Sequence, residues 1–313
     1  MNNTAWWIII FILILLILAA GEIYRETHTF RVRKYKVKTK KNIGIQNCVK
    51  VIFLSDLHNC VYGNKNDKLY KAIQAEMPDM ILIGGDMLVA KEGSSVQEAL
   101  EFVKKLPHIC QVYYTNGNHE QRMKENTDIY GDTYERYKAK LENCGVCFLE
   151  NKAENIEKNG MKFSIYGLEL DSSVNRKFKK ADVTEKTVEE KIGKKGKDYS
   201  ILMAHNPAYM DAYKKWGADL ILSGHLHGGL VRCPGIGAVV TPQGFLFPKY
   251  SGEMRREGEQ TIVVFFIRFP HSPRKPAQPH HKQLRTVRGQ CPVSFQKTRY
   301  ETASLLPAQV SLS

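Results

Sequence analysis

Five short clusters of metal-binding residue types punctuate the middle of the chain. They are Ser55-Asp56-Leu57-His58, Gly84-Gly85-Asp86, Asn116-Gly117-Asn118-His119-Glu120, Met203-Ala204-His205-Asn206 and Ser223-Gly224-His225-Leu226-His227-Gly228-Gly229. Together they offer carboxylate, amide oxygen and imidazole. That donor set suits borderline transition ions such as Mn, Fe, Zn or Ni better than magnesium alone. Asp-x-His and His-x-His would put two side chains on the same side of an extended segment, because the strand period is two. The glycines in these clusters let the backbone turn sharply and approach an ion or a phosphate closely.

Taken singly, each cluster has a plainer explanation. Asp-x-His is common in turns, Gly-Gly-Asp is an ordinary strand-to-loop turn, and a lone His205 is more often a satisfied core histidine than a ligand. Gly-Asn-His-Glu is more specific. Gly-His-Leu-His-Gly-Gly is more specific still, since paired histidines between glycines have little structural purpose. All five in order, each after an expected strand, point to a metal site.

The elements that must position them follow from apolar runs and helical spacing. Strands are expected at 49–55, 80–83, 111–115, 146–149, 163–168, 200–204 and 219–223, with a basic edge strand over 29–38. Helices are expected at 66–76, 96–106, 130–143 and 207–216, with a short one around 187–192 in the Lys-rich excursion 171–198. Strands alternating with helices imply an α/β domain with largely parallel sheet and both faces covered. In such sheets sites form at the carboxyl ends of the strands, so the five clusters should converge.

The five blocks resemble the calcineurin-like metallophosphoesterase superfamily over 49–264. Cys233-Pro-Gly-Ile-Gly and Phe247-Pro-Lys-Tyr-Ser-Gly are similar to its membrane-associated bacterial phosphodiesterase-like branch. The resemblance implies two facing β-sheets flanked by helices, a four-layer α-β-β-α sandwich. It implies two divalent metal ions: Asp56, His58 and His227 hold one, Asn118, His205 and His225 the other, and Asp86 bridges them. It makes His119 the catalytic residue that assists the leaving group. Leu230 stands where some members carry Gln. Two ions about 3.5–4 Å apart would clamp phosphate oxygens and acidify a shared water for in-line attack on phosphorus. The expected substrate is a phosphodiester or pyrophosphate, lipid-linked ones included. A nonenzymatic scaffold on the same fold would usually lack ligands, and here the set is complete.

Outside this domain, residues 5–20 are an unbroken apolar run, with Trp6, Trp7 and Tyr24 suited to the two interfaces. A cleaved signal peptide would carry a basic start, and Met1-Asn2-Asn3-Thr4 has none. Residues 1–24 are therefore expected to be a single-pass transmembrane anchor and 25–47 a basic juxtamembrane segment and edge strand. The lysines and arginines after the run put the catalytic domain on the cytoplasmic side of the cell membrane.

The formal net charge of +14 could suggest an acidic partner. Residues 265–313 carry eight Lys/Arg against Glu301 alone and so supply half of it. With no aromatic-interleaved basic helix, a nucleic-acid partner is not expected; a basic surface binder remains the alternative class. Seven cysteines at irregular spacing do not form a disulfide framework, and Cys144-x-x-Cys147 reads as a helix-to-strand turn with buried thiols. Residues 265–313 also hold six of the twelve prolines, and read as a disordered tail. The resemblance adds that relatives continue the strand ending at Val264 through a Ser/Gly-rich turn. A frameshift near Val264 would account for the break, leaving an exposed edge beside 261–264.

Overall fold

A computed structural model describes residues 3–30, 32–39, 48–175, 181–229, 231–233, 237–241, 243–264 and 309–312. Leu230, residues 40–47 and residues 265–308 lie outside the described residues, and so does most of the expected tail.

Two six-stranded sheets face each other. The first contains β1 (Lys34–Val37), β2 (Val49–Leu54), β3 (Met80–Ile83), β4 (Gln111–Tyr114) and β5 (Val146–Phe148). The second contains β6 (Lys152–Lys158), β7 (Met161–Leu168), β8 (Tyr199–Ala204) and β9 (Leu220–Ser223). A separate antiparallel pair, β10 (Val231–Cys233) and β11 (Gly237–Val240), follows β9. The hairpin β12 (Glu253–Glu257) and β13 (Gln260–Val264) completes the second sheet, and β14 (Gln309–Leu312) completes the first. The orders are β1-β14-β2-β3-β4-β5 and β12-β13-β9-β8-β7-β6. β2 through β5 run parallel, as do β7, β8, β9 and β13.

The layering follows from strand alternation. In β2, Val51 and Phe53 join Met80, Leu82, Phe163, Ile165, Ile201 and Leu222 between the sheets. Their neighbours Ile52 and Leu54 face outward into a second cluster. Leu69 and Ile73 of α2 (Asp67–Ala75), Phe102 of α3 (Gln97–Val103), Met123 of α4 (Asn118–Glu125), and Tyr137 and Leu141 of α6 (Thr133–Glu142) cover them. The short α5 (Thr127–Tyr130) joins α4 to α6. On the far face of the second sheet, Val188 of α7 (Glu185–Ile192) and Tyr213 and Trp216 of α8 (Met210–Trp216) pack on Leu202, Ile221 and Ile262. The result is the expected pair of sheets flanked by helices, because the central strands β2, β3, β8 and β9 are apolar on both faces and need two partners.

Among the described residues, the structure places the end of the tail and the edge expected beside it. Gln309–Leu312 forms a strand between β1 and β2, antiparallel to β2 with Val310 opposite Val51. Residues 261–264 are not a free edge either, because β13 is hydrogen-bonded to β12 on one side and β9 on the other. The charged β12, Glu-Met-Arg-Arg-Glu, takes the edge position, where charge discourages further pairing. The buried-thiol reading is also corrected. Cys144 is exposed, because it lies in the turn after α6 rather than under it, and Cys147 is half-buried.

The N-terminal α1 (Asn3–His28) is 26 residues long. Among the described residues no helix is long and apolar enough to cross a membrane. The side chains of residues 6–18 are exposed.

Candidate metal centre

The carboxyl ends of β2, β3, β4, β8 and β9 bring the clusters to one edge of the sandwich. Backbone bonds fix the loops to one another. Asp56 N–H donates to Gly85 O at 2.9 Å, His58 N–H to Asp86 O at 3.0 Å, and Gly224 N–H to His205 O at 2.9 Å. A Cβ at Gly117 would lie 2.3 Å from Asp86 Oδ1, and one at Gly224 2.3 Å from Asp56 Oδ2, so only glycine permits these approaches.

The local conformation differs from the extended segments that Asp-x-His and His-x-His suggest. Asp56, His58, Asp86, His225 and His227 have φ of 57°, 48°, 54°, 70° and 48°. Left-handed backbone at non-glycine residues costs about 1–3 kcal/mol each and persists where surrounding structure enforces it. Here the interloop bonds do so. His225 N–H donates to both oxygens of Asp56, at 2.9 and 3.1 Å, and His119 N–H to Asp86 Oδ1 at 2.8 Å.

Ligand atoms converge in overlapping groups. Asp56, His58 and His227 form one, Asp86, His205 and His225 a second, and His58, Asp86 and His119 a third, with the atoms of each within 4.8 Å of one another. Asp86 Oδ2 is 3.2 Å from His205 Nε2 and 3.7 Å from His58 Nε2, so it touches both main groups. Asn118 joins the second group, with Oδ1 2.6 Å from His225 Nδ1. The same oxygen position is 3.1 Å from Asp86 Oδ2 and 3.3 Å from His205 Nε2. The amide can turn either its nitrogen or its oxygen toward these groups, and its oxygen would face a bound cation.

The residues fit divalent ions on three counts. Asp56 and Asp86 are fully buried carboxylates, which need cations beside them. His205 Nδ1 is 2.7 Å from Gly84 O, which fixes its N–H on that side and turns Nε2 toward Asp86. His225 Nε2 is buried with no hydrogen-bond partner. Electrostatics agree. Burial lowers His58 to about 4 and His225 to about 3, which keeps both imidazoles neutral as ligands. His205 differs: burial opposes its protonation, but the Asp86 and Asp56 carboxylates outweigh this and raise it to about 10. Metal loading must therefore displace a proton from that pair.

His119 lies beside the group. Ala90 N–H donates to its Nδ1 at 2.9 Å, so the ring proton is on Nε2. Burial lowers its pKa and keeps it neutral near pH 7.

One functional residue carried no assignment from sequence. Glu120 is fully buried and accepts from Asp86 N at 2.8 Å, Met87 N at 2.9 Å, Gly117 N at 3.1 Å and Tyr114 Oη at 2.7 Å. Burial, then the Asp86 charge, raises its carboxyl to about 7. Its position three residues after the helix-capping Gly117 is the sequence signal that marks it, as in a capping box.

Two facing sheets with buried carboxylates, imidazoles and an amide converging at their strand ends define a metal-dependent hydrolase scaffold. The sequence profile of the calcineurin-like phosphoesterase family matches residues 49–229, and the chain belongs to that family. It is 26% identical over 211 residues to the uncharacterized metallophosphoesterase YkoQ of Bacillus subtilis, covering 67% of this chain and 72% of that one. Over 197 residues it is 24% identical to the phosphodiesterase YaeI of Escherichia coli, covering 62% and 66%. Among solved structures, the phosphopantetheinyl hydrolase PptH of Mycobacterium tuberculosis aligns with 70% of this chain and 90% of its own, at 12% identity and a TM-score of 0.42. The protein is a phosphoester hydrolase of a family that uses divalent metals.

Proposed function

We propose that the chain hydrolyses a phosphodiester or a pyrophosphate, lipid-linked substrates among them, at a dinuclear centre. The observation that carries this is the pair of ligand groups Asp56-His58-His227 and Asp86-His205-His225, with Asp86 in reach of both. Asp86 would hold both ions, and Asn118 would complete the second group. Bound ions would supply Lewis-acid charge to the phosphoryl oxygens and acidify water. His119 presents Nε2–H to the departing oxygen, with Ala90 fixing the tautomer. Glu120 holds the Asp86 and Gly117 backbones in register. No protein nucleophile is needed, since attack by water suffices.

The substrate's access to a membrane would come from α1. Its large apolar side chains from Trp6 to Leu18 are exposed, Trp7 at 70% and Ile17 at 69%, and burying them in lipid removes that cost. The basic residues that follow favour a cytoplasmic catalytic domain. Detergent-solubilised protein in Mn-containing buffer should hydrolyse members of a panel of phosphodiesters, monoesters and pyrophosphates. Metal-loaded protein inert on the whole panel would refute the enzymatic proposal. Protease added to intact cells should leave the domain uncut; digestion from outside would reverse the orientation.

A further inference from the structure

Single apolar side chains are exposed on most soluble proteins and need no partner. In this chain they are gathered at one edge. Outside α1, the described residues expose five large apolar side chains: Val61, Met77, Ile129, Leu246 and Phe247. Four of these lie on segments at the metal-bearing edge. Val61 follows Asp56 and His58 in the loop after β2. Ile129 is on α5, where Tyr130 Oη donates to Ala90 O at 3.2 Å, and Ala90 is the residue that holds His119. Leu246 and Phe247, 64% and 63% exposed, turn back onto β11. Leu246 bridges to Val240, and Phe247 N–H donates to Val239 O at 2.9 Å. In the intervening turn Gln243 is buried, and its Nε2 donates to Val174 O at 3.4 Å. Val174 lines a cleft with Asn118 and His205, so the hairpin is fastened beside the ligand groups. Of the five, Met77 alone lies at the opposite edge, between α2 and the start of β3.

The helix α1 reaches the same metal-bearing edge. Phe30, two residues beyond its end, packs edge-on against Tyr62, with ring centroids 5.2 Å apart and planes at 73°. Tyr62 is buried in the loop that carries Val61. The helix is unbroken from the exposed apolar stretch 6–18 to His28. About 15 Å of helix therefore separates Leu18 from the end of α1. Lipid holding that stretch would lie close to the metal-bearing edge.

We propose that the metal-bearing edge is seated on a lipid bilayer, with Leu246 and Phe247 dipping into the interface and Val61 and Ile129 resting on it. The assignment rests on the reading that α1 enters a membrane. Lipid is the occupant, rather than a second copy or a soluble partner, because unbroken helix joins the exposed apolar stretch of α1 to this edge. Seating removes the four side chains from water and turns the metal centre toward substrates held in lipid.

Tryptophan quenching in the full chain tests it without requiring turnover. Trp6→Phe and Trp7→Phe leave Trp216 as the background signal. Phe247→Trp then reports on the hairpin, and Met77→Trp on the opposite edge, with metal content as the control for folding. The chains are reconstituted in vesicles of phosphatidylglycerol and brominated phosphatidylcholine, whose bromines quench tryptophans that enter lipid. The reporter at position 247 should lose most of its emission, and the one at 77 should keep its own. Leu246→Trp should repeat the first result. Flotation with the vesicles reads the anchor separately. A chain that floats while the reporters at 247 and 77 are quenched alike, or not at all, overturns the proposal and leaves the anchor standing. A chain that does not float overturns the anchor reading and the proposal with it. A concentration-dependent dimer in detergent that Phe247→Ser abolishes, with no quenching at 247, overturns the proposal and gives the face to a second copy.

Discussion

The carboxylate of Glu120 accepts the backbone N–H of Asp86 at 2.8 Å while its other oxygen accepts that of Met87 at 2.9 Å. A single buried side chain therefore clamps the loop after β3 to the start of α4, where Asn118 and His119 lie. Asp86 has φ 54°, a conformation uncommon outside glycine, and the Glu120 clamp is part of what holds it there.

Glu120→Gln should loosen the metal site. A carboxamide offers one acceptor oxygen in place of two and turns N–H groups against backbone N–H. The expected loss is about 1–3 kcal/mol in stability and roughly 10- to 100-fold in metal affinity. Metal titration and thermal unfolding measure both, and wild-type values in each would exclude the clamp.

Asp86→Ala should abolish metal loading and hydrolysis together. The carboxylate lies within reach of both ligand groups and is the main charge opposite His205. Bound-metal stoichiometry near that of wild type would refute the bridging role.

His119→Ala should keep bound metal and slow turnover by about 10²-fold or more. Its Nε2–H matters most when the departing oxygen is basic. The defect should therefore shrink for p-nitrophenyl esters relative to alkyl esters; an equal defect on both would indicate stabilisation of transition-state charge instead.

The strands that deliver the ligands were legible because they are buried on both faces. The all-apolar run Met80–Ile83 is read directly, and so are the polar residues that follow it. β6 was not legible: Lys152–Lys158 has little apolar content, is mostly exposed, and is held by backbone pairing with β7 rather than by a hydrophobic face. The ligand residue types were legible too, but their left-handed backbone was not. Asp and His at φ > 0 carry no sequence mark beyond a modest enrichment, and the conformation is imposed by bonds between loops far apart in sequence. Glu120 stood in a quoted motif, yet its role emerged only once Asp86 and Gly117 were seen on either side of it.

The last prediction concerns acid. Burial raises the Glu150 carboxyl, but hydrogen bonds from Lys138, Tyr134 and Lys124 outweigh it and bring the value down to about 2, from 4.5 when unfolded. The unfolded chain then binds this proton more readily than the folded one. The stabilisation is fully present above about pH 4.5 and is lost as pH falls toward 2. Its size should be on the order of 1–2 kcal/mol, after allowing for solvent screening of a partly exposed cluster. Glu150→Gln should remove that contribution near neutrality and flatten the acid limb of the stability curve between about pH 4.5 and 2. Urea unfolding at a series of pH values measures it. An acid limb unchanged in the variant would mean that the pairing with Lys138 and Lys124 does not stabilise the fold, and that the loss of stability in acid arises at other carboxylates.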